Sequence, residues 1–368
     1  MATTQIILVN WNGRDHTIEC LESLMRLDSG DFDVVIVDNG SADGSIAAIE
    51  AWAGTGAGLG AGAGAGTPES AQWKNGPPWP LLPTDRVHVP RVRVIDRAAL
   101  ADASPDGTRM TIIAANANLG FAGATNLGLA FGARDPDARY FWLLNNDTVV
   151  APDSLTLLVE KAAARPDAGI IGATLLYYHQ PDMVQGLGGL MDVKRALASH
   201  IGLGLSADAL PDEAAVEAQM TYVMGASMFV RRSVYDATGG MSEDYFLYFE
   251  EPDWAQRLPR GVHQAVCLAA KVYHKEGGTI GSNSLTRASD TSLYYLIVNS
   301  LRFYARYHRA SLPVMAARMA KYGFDYGRKG DRQARAVIAR AFVDALTGRR
   351  RKGPYGSASF RAGKEKAA

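Results

Sequence analysis

Gln5-Ile-Ile-Leu-Val9 runs straight into Asn10-Trp-Asn-Gly13, and after an intervening stretch Phe32 to Val37 runs into Asp38-Asn-Gly-Ser-Ala-Asp-Gly44. Both apolar runs are short, continuous and closed by turn residues, as buried strands are. Between them, over 14–27, Ile18, Leu21, Leu24 and Met25 recur at helical spacing on one side. Strand, helix and strand at these distances imply right-handed βαβ units and a parallel sheet. Ser41 or Asp43 is placed to cap the helix that follows the second strand.

Outward from this core the alternation continues. Val92 to Ile95 reads as a short strand, and Met110 to Ala114 as a longer buried one. A helix runs from the Asn118 region to about Phe131, followed by the very apolar strand Tyr140 to Leu144. Pro152 and Asp153 open a further helix, and Gly169 to Leu176 and Tyr222 to Val230 read as strands. Glu243 to Arg257 begins aromatic and acidic and turns helical. Leu293 to Tyr307 is amphipathic, and basic helices continue to Leu346. Residues 180–220 show glycines and few periods. The expectation is one α/β domain over 1–300, with a Rossmann-like, mostly parallel sheet flanked by helices, and a basic helical extension over 301–368. From residue 53 to about 90 the chain is Gly/Ala- and then Pro-rich, a composition that cannot bury enough apolar surface to order itself, and it reads as a flexible insertion. Its seven glycines from Gly54 to Gly66 all fall on even numbers, so a dinucleotide-type glycine spacing never occurs.

The 368 residues carry 38 Lys/Arg and 38 Asp/Glu. That neutrality hides an asymmetry, because 17 Lys/Arg and 4 Asp/Glu lie beyond residue 300. A basic tail suggests an anionic partner, nucleic acid or anionic membrane. No basic–aromatic single-strand platform and no DNA-binding motif is present, so nucleic acid is set aside. Arg349-Arg-Arg-Lys352 and the interleaved Val337, Ile338, Ala341, Phe342 and Leu346 suit a helix lying on an anionic bilayer; an ordinary solvated helix packed on the domain is the alternative. Cys20 and Cys267 form neither a disulfide framework nor a metal motif and read as reduced thiols of an intracellular protein. No run reaches the roughly 18 apolar residues of a membrane span, and no leader pattern precedes the first strand. A cytoplasmic protein, peripheral at the inner face of the cell membrane, is expected.

Polar clusters follow three strands, at Asn10–Gly13, Asp38–Ser41 and Asn145–Asp147. Any one could be a plain polar turn. Three at the carboxyl ends of parallel strands favour a polar ligand, with a nucleotide the usual occupant. Asp147, after the most apolar strand, is placed to hold Mg²⁺ or Mn²⁺ bridging the phosphates of a nucleotide-sugar, with Asn145 and Asn146 helping by orientation or through water. His274 is a second candidate ligand, although a histidine after an apolar run is often structural. In Asp244-Tyr-Phe-Leu-Tyr-Phe-Glu-Glu-Pro-Asp253, apolar walls and a like-charged neighbour raise a carboxyl toward the range of a general base at Glu250 or Glu251. The helix dipole alone would explain Asp253, and the aromatic run less well.

In order, Val9–Gly13, Val37–Gly44, Asn118–Asn126, Leu144–Thr148, Gly225-Ala-Ser-Met and Phe246–Asp253 resemble the motifs of family 2 glycosyltransferases, especially the bacterial rhamnosyltransferase and galactofuranosyltransferase-like branch. The resemblance implies a GT-A fold, a nucleotide-diphosphate sugar donor, a divalent metal, and a saccharide or lipid-linked acceptor in cell-surface polysaccharide synthesis. It places Val9, Asn10, Trp11, Asn12 and Asp38 against the nucleoside and Asn118 and Gly120 near the base or ribose, with Asn146 and Asp147 at the donor. Asp147 would be the acid of the family's DxD-like motif, His274 a downstream metal-binding histidine, Glu251 the catalytic base and Glu250 its support. Two departures stand out: the acid-x-acid motif reads Asn145-Asn-Asp147, and the base position holds Glu where Asp is commoner. A non-catalytic nucleotide-sugar-binding or scaffold protein on the same fold is the rival expectation.

Overall fold

The computed structural model describes residues 3–55, 91–275 and 289–362. In chain order its elements are β1 (Thr4–Asn10), α1 (Arg14–Leu24), β2 (Phe32–Asp38), α2 (Ser45–Thr55), β3 (Val92–Asp96), β4 (Met110–Ala114), α3 (Gly120–Gly132), β5 (Tyr140–Asn145), β6 (Thr148–Val150) and α4 (Ser154–Ala164). They continue with β7 (Ala168–Tyr177), β8 (Gln180–Gly186), β9 (Gly189–Asp192), β10 (Leu197–His200), α5 (Glu213–Glu217), β11 (Ser227–Arg231), α6 (Arg232–Thr238), α7 (Glu250–Gln256) and β12 (His263–His274). The last four helices are α8 (Asp290–Tyr307), α9 (Leu312–Arg328), α10 (Arg332–Leu346) and α11 (Ala358–Ala362).

Alternation along the central strands sends their side chains to two separate cores. Ile6, Leu8, Val34, Ile36, Trp142 and Leu144 meet Leu21 and Leu24 of α1, Ile49 of α2 and Leu155 and Leu158 of α4 on one face. Ile7, Val35, Val37, Phe141 and Leu143 meet Leu129 and Phe131 of α3 on the other. Strands buried on both faces read as unbroken apolar runs, which is why β1 and β2 were visible in the sequence.

Among the described residues ten strands join in one sheet, in the order β3-β4-β2-β1-β5-β11-β7-β12-β6, with β8 added beside β7. From β3 to β5 every pairing is parallel. β11 is antiparallel to both β5 and β7, and β12 is parallel to β7 and antiparallel to β6. The register sets Asn10 beside Asp38, and Val9 beside both Val37 and Asn145, so the three polar clusters share one edge.

Several boundaries shift. The strand expected over Tyr222–Val230 forms only from Ser227, because Tyr222 turns away to bond with Gly189. Residues 53–55, expected to begin the insertion, are the last turn of α2, and the rest of that segment lies outside the described residues. The featureless 180–220 stretch contains β8, β9, β10 and α5. Helix α8 runs through position 301, where the extension was expected to start. Its buried face and α9, α10 and α11 form a third core with Tyr245, Phe246 and Leu247.

Candidate active site

Asn10 lies at the bottom of the site and is fully buried. Its Nδ2 donates to Asp38 Oδ2 at 2.8 Å and Ser41 Oγ at 3.1 Å. Its Oδ1 accepts from Gly13 N, Thr17 Oγ1 and Asn146 Nδ2 at 3.2, 2.9 and 3.2 Å. Asn146 Nδ2 also donates to Thr17 Oγ1 at 2.9 Å. Buried amides that spend their hydrogen bonds in this way fix the ends of β1, β2 and β5 relative to one another. Ser41 Oγ accepts from Asn12 N, and Asn12 Oδ1 accepts from Ala42 N, which folds the two loops together. Val9 and Trp11 are partly exposed, and Asn12 is exposed with a left-handed φ of 52°. Asp38 is buried, with Oδ1 accepting from Ser41 N at 3.0 Å.

A second wall comes from the Asn118–Gly120 turn. Asn39, not singled out in the sequence, donates to Asn118 Oδ1 at 3.2 Å and accepts from Leu119 N at 2.8 Å. Gly120 has a φ of +78°, and a Cβ there would lie 2.4 Å from Phe246 O. Only glycine fits such a close backbone approach. Phe121 N donates to that same carbonyl, so the turn is fastened to the aromatic segment that precedes Glu250.

Asp147 follows β5 in a tight turn before β6 runs back against β12. The β6–β12 register pairs Thr148 with His274, and Lys275 N donates to Asp147 O at 3.0 Å. His274 Nε2 stands 3.2 Å from Asp147 Oδ1, and its Nδ1 is 2.8 Å from Gln185 Oε1. An amide oxygen accepts, so Nδ1 carries a hydrogen, and it is Nε2 that faces the carboxylate. Two lone-pair atoms this close call for a proton or a cation between them, and the carboxylate–imidazole pair fits a divalent ion. Among the described residues no group of three or more His, Cys, Asp or Glu could hold a metal. Among the described residues two side chains of that kind meet here, Asp147 and His274. Burial pushes the Asp147 carboxyl up, but the charge and hydrogen bond of His274, with His16 further off, hold it below the ordinary range. Gln185 had no signal in the sequence, since its partner is 89 residues away.

Glu250 and Glu251 open α7. The preceding Tyr248 and Phe249 both have left-handed φ, 67° and 76°, which turns the chain sharply into the helix. Glu250 is 1% exposed, and its Oε1 has no hydrogen-bond partner. Burial first, then the neighbouring Glu251 charge, pushes its carboxyl well above the usual range. Glu251 is partly exposed, and burial raises it too, opposed by hydrogen bonds from its own backbone N–H and that of Gly225. A Cβ on Gly225 would lie 2.0 Å from Glu251 Oε1, so glycine is what lets the carboxylate settle on that backbone. The next residue, Ala226, accepts from Asn145 N at 3.1 Å. Glu251 is thus tied to the loop that borders the Asn145–Asp147 turn.

The carboxyl edge of an α/β sheet thus gathers Asn10, Asp38 and an Asp–His pair, with the buried Glu250 and the partly exposed Glu251 nearby. Residues 5–59 and 95–183 match the model of glycosyl transferase family 2. The chain is similar to the N-acetylglucosaminyl-diphospho-decaprenol L-rhamnosyltransferase of Mycobacterium tuberculosis, from strains CDC 1551 / Oshkosh and H37Rv. Identity is 28% over 214 residues, covering 50% of this chain and 67% of the relative. Two solved structures share 13% and 11% identity. One is a mannosyltransferase from Pyrobaculum calidifontis in complex with GDP-Man and Mn²⁺ (94% of this chain, 87% of that one, TM-score 0.49). The other is S. aureus TarS in complex with UDP-GlcNAc (94% and 82%, TM-score 0.49). By motif order and by the match over residues 5–59 and 95–183, the chain is similar to family 2 glycosyltransferases and rhamnosyltransferase-like in its motifs.

Proposed function

We propose that this protein is an inverting glycosyltransferase that moves a sugar, rhamnose on the pattern of its relatives, from a nucleoside diphosphate to a hydroxyl of a saccharide or lipid-linked acceptor. The relatives are named for a decaprenyl-diphosphate acceptor, which favours a role in cell-surface polysaccharide synthesis at the inner face of the membrane. No helix among the described residues is long and apolar enough to cross a membrane, and the attachment proposed here is peripheral.

The observation that carries the reading is the Asp147–His274 pair at the sheet edge, with Glu251 of α7 linked to it through Gly225 and the Asn145–Ala226 hydrogen bond. Val9, Trp11 and Asn12 with Asp38 would face the nucleoside, and Asn118 with Gly120 the base or ribose. Asn10 and Asn146 support them from below. Glu251, partly exposed and raised by burial, takes the proton of the acceptor hydroxyl. The acceptor oxygen then bonds to the anomeric carbon as the bond to the diphosphate breaks, and one displacement inverts that centre. Glu250 keeps its proton and holds the wall behind the base. Mg²⁺ or Mn²⁺ held by Asp147 and His274 would neutralise charge on the leaving diphosphate.

Turnover of a donor panel against a membrane extract, with the anomeric configuration of the product read by NMR, tests the reading. Glu251→Gln should bind donor as the wild type does and lose about a hundredfold or more in turnover. Full activity in that variant removes Glu251 as the base.

A further inference from the structure

A cavity of about 460 Å³ is lined on one side by Asp244 and Tyr245, in the segment that leads to Glu250. Its floor is apolar, with Leu301 and Ala305 of α8, Leu312 and Ala316 of α9 and Ala345 and Leu346 of α10. Of the four charged residues that line it, Arg302, Arg306 and Arg350 are cationic and only Asp244 is anionic. Arg350 and Arg306 both pair with Asp244, the latter at 3.7 Å, while Arg306 also reaches Asp253 at 3.3 Å. Arg302 donates to Arg349 O at 2.6 Å and Asn299 Oδ1 at 3.3 Å and forms no ion pair with a carboxylate among the described residues. The Asp244, Arg306 and Arg350 side chains are 36–53% exposed, so an incoming anion displaces weak, hydrated pairs. A second cavity, about 690 Å³ between α9 and α10, is also lined by Phe342. Leu346 of the first cavity's lining is 85% exposed, and Phe324 of the second 64%.

We propose that this groove seats the chain of a lipid-linked acceptor, with its isoprenyl or alkyl tail on the apolar floor and its phosphate between Arg306 and Arg350. This rests on the acceptor class put forward above and assigns it a place. Concavity argues for a single chain over a bilayer face, and the cations stand at the end nearest the segment carrying Glu250 and Glu251. Arg306 also contacts Asp253, two residues along α7 from Glu251, so a phosphate on that arginine sits beside the helix that carries the proposed base.

Farnesyl diphosphate binding to the full chain, measured by calorimetry in EDTA so that the Asp147–His274 site is not recruited, tests the assignment. The expected result is affinity at least tenfold tighter than for inorganic diphosphate or for farnesol. Ala345→Trp and Ala316→Trp fill the groove from two helices. Each should weaken farnesyl diphosphate tenfold or more and leave nucleotide release from the sugar donor unchanged. Equal affinity for the three probes, or unchanged affinity in both folded variants, overturns the assignment. So does equal sedimentation of wild type and both variants with phosphatidylglycerol vesicles when farnesyl diphosphate does not bind, which would make the surface a bilayer contact. Donor turnover is measured without lipid, so failure of the glycosyltransferase reading shows separately.

Discussion

Glu250 is a carboxyl placed where only its neutral form is comfortable, buried, with one oxygen unpartnered and a second carboxyl alongside. Its pKa in the folded protein lies above its unfolded value, so over that interval the folded chain binds more protons than the unfolded one. Stability then falls as pH rises from about 4.5, the unfolded value, toward the raised one. Glu250→Gln cannot ionise and should escape that loss. Its melting temperature relative to wild type should climb between pH 4 and pH 8, and a constant difference would show that Glu250 is not held neutral. At Asp147 the expectation concerns binding. Asp147→Ala should weaken a nucleoside diphosphate about tenfold or more in Mn²⁺ and barely alter metal-free binding, as titrations with and without EDTA would show. Insensitivity of the wild type to EDTA would exclude the metal role.

Helix α7 has only seven residues, too short to stand without its neighbours. Asp253, fully buried, anchors it by accepting from Arg257 Nε at 2.7 Å, Tyr307 OH at 2.8 Å and Arg306 Nη1 at 3.3 Å. Truncating one member of a buried charged network leaves the others uncompensated, so Asp253→Ala should cost about 3 kcal/mol in denaturant unfolding. A loss under about 1 kcal/mol would mean that α7 is held by its apolar contacts, chiefly Trp254. This anchor also marks how far the sequence could be read. The strand runs, their polar ends, the Glu250–Glu251 pair and His274 were legible because each is local, a periodicity or a spacing within a few residues. Gln185 behind His274, Asn39 on Asn118 and Tyr307 on Asp253 were not, since each partnership joins positions 54 to 89 residues apart. Strand β11 was misjudged in length because Tyr222–Ala226 is apolar enough for a strand, yet Gly225 is occupied by Glu251.

The basic tail proves to be partly interior. Val337, Ile338 and Ala341 of α10 are buried against α8, and Arg351, only 5% exposed, is paired with Asp344. The basic residues therefore include structural ones, while Leu346 and Val343 face outward. Ending the chain at residue 309 would uncover Tyr294, Tyr295, Ile297 and Val298, which are now almost fully buried. Such a truncation should aggregate or lose cooperative unfolding in a thermal melt. A soluble, cooperatively folded 1–309 fragment would show that the third core is dispensable. The same layer reaches the site, because Asn299 Nδ2 donates to Leu247 O at 2.8 Å and Arg350 pairs with Asp244, on either side of the aromatic run before Glu250. A ribosome makes the sheet first and these braces last. While residues 299 and 350 remain in the exit tunnel, the segment before the glutamates lacks both braces, so the proposed donor edge is assembled before the proposed base is fixed.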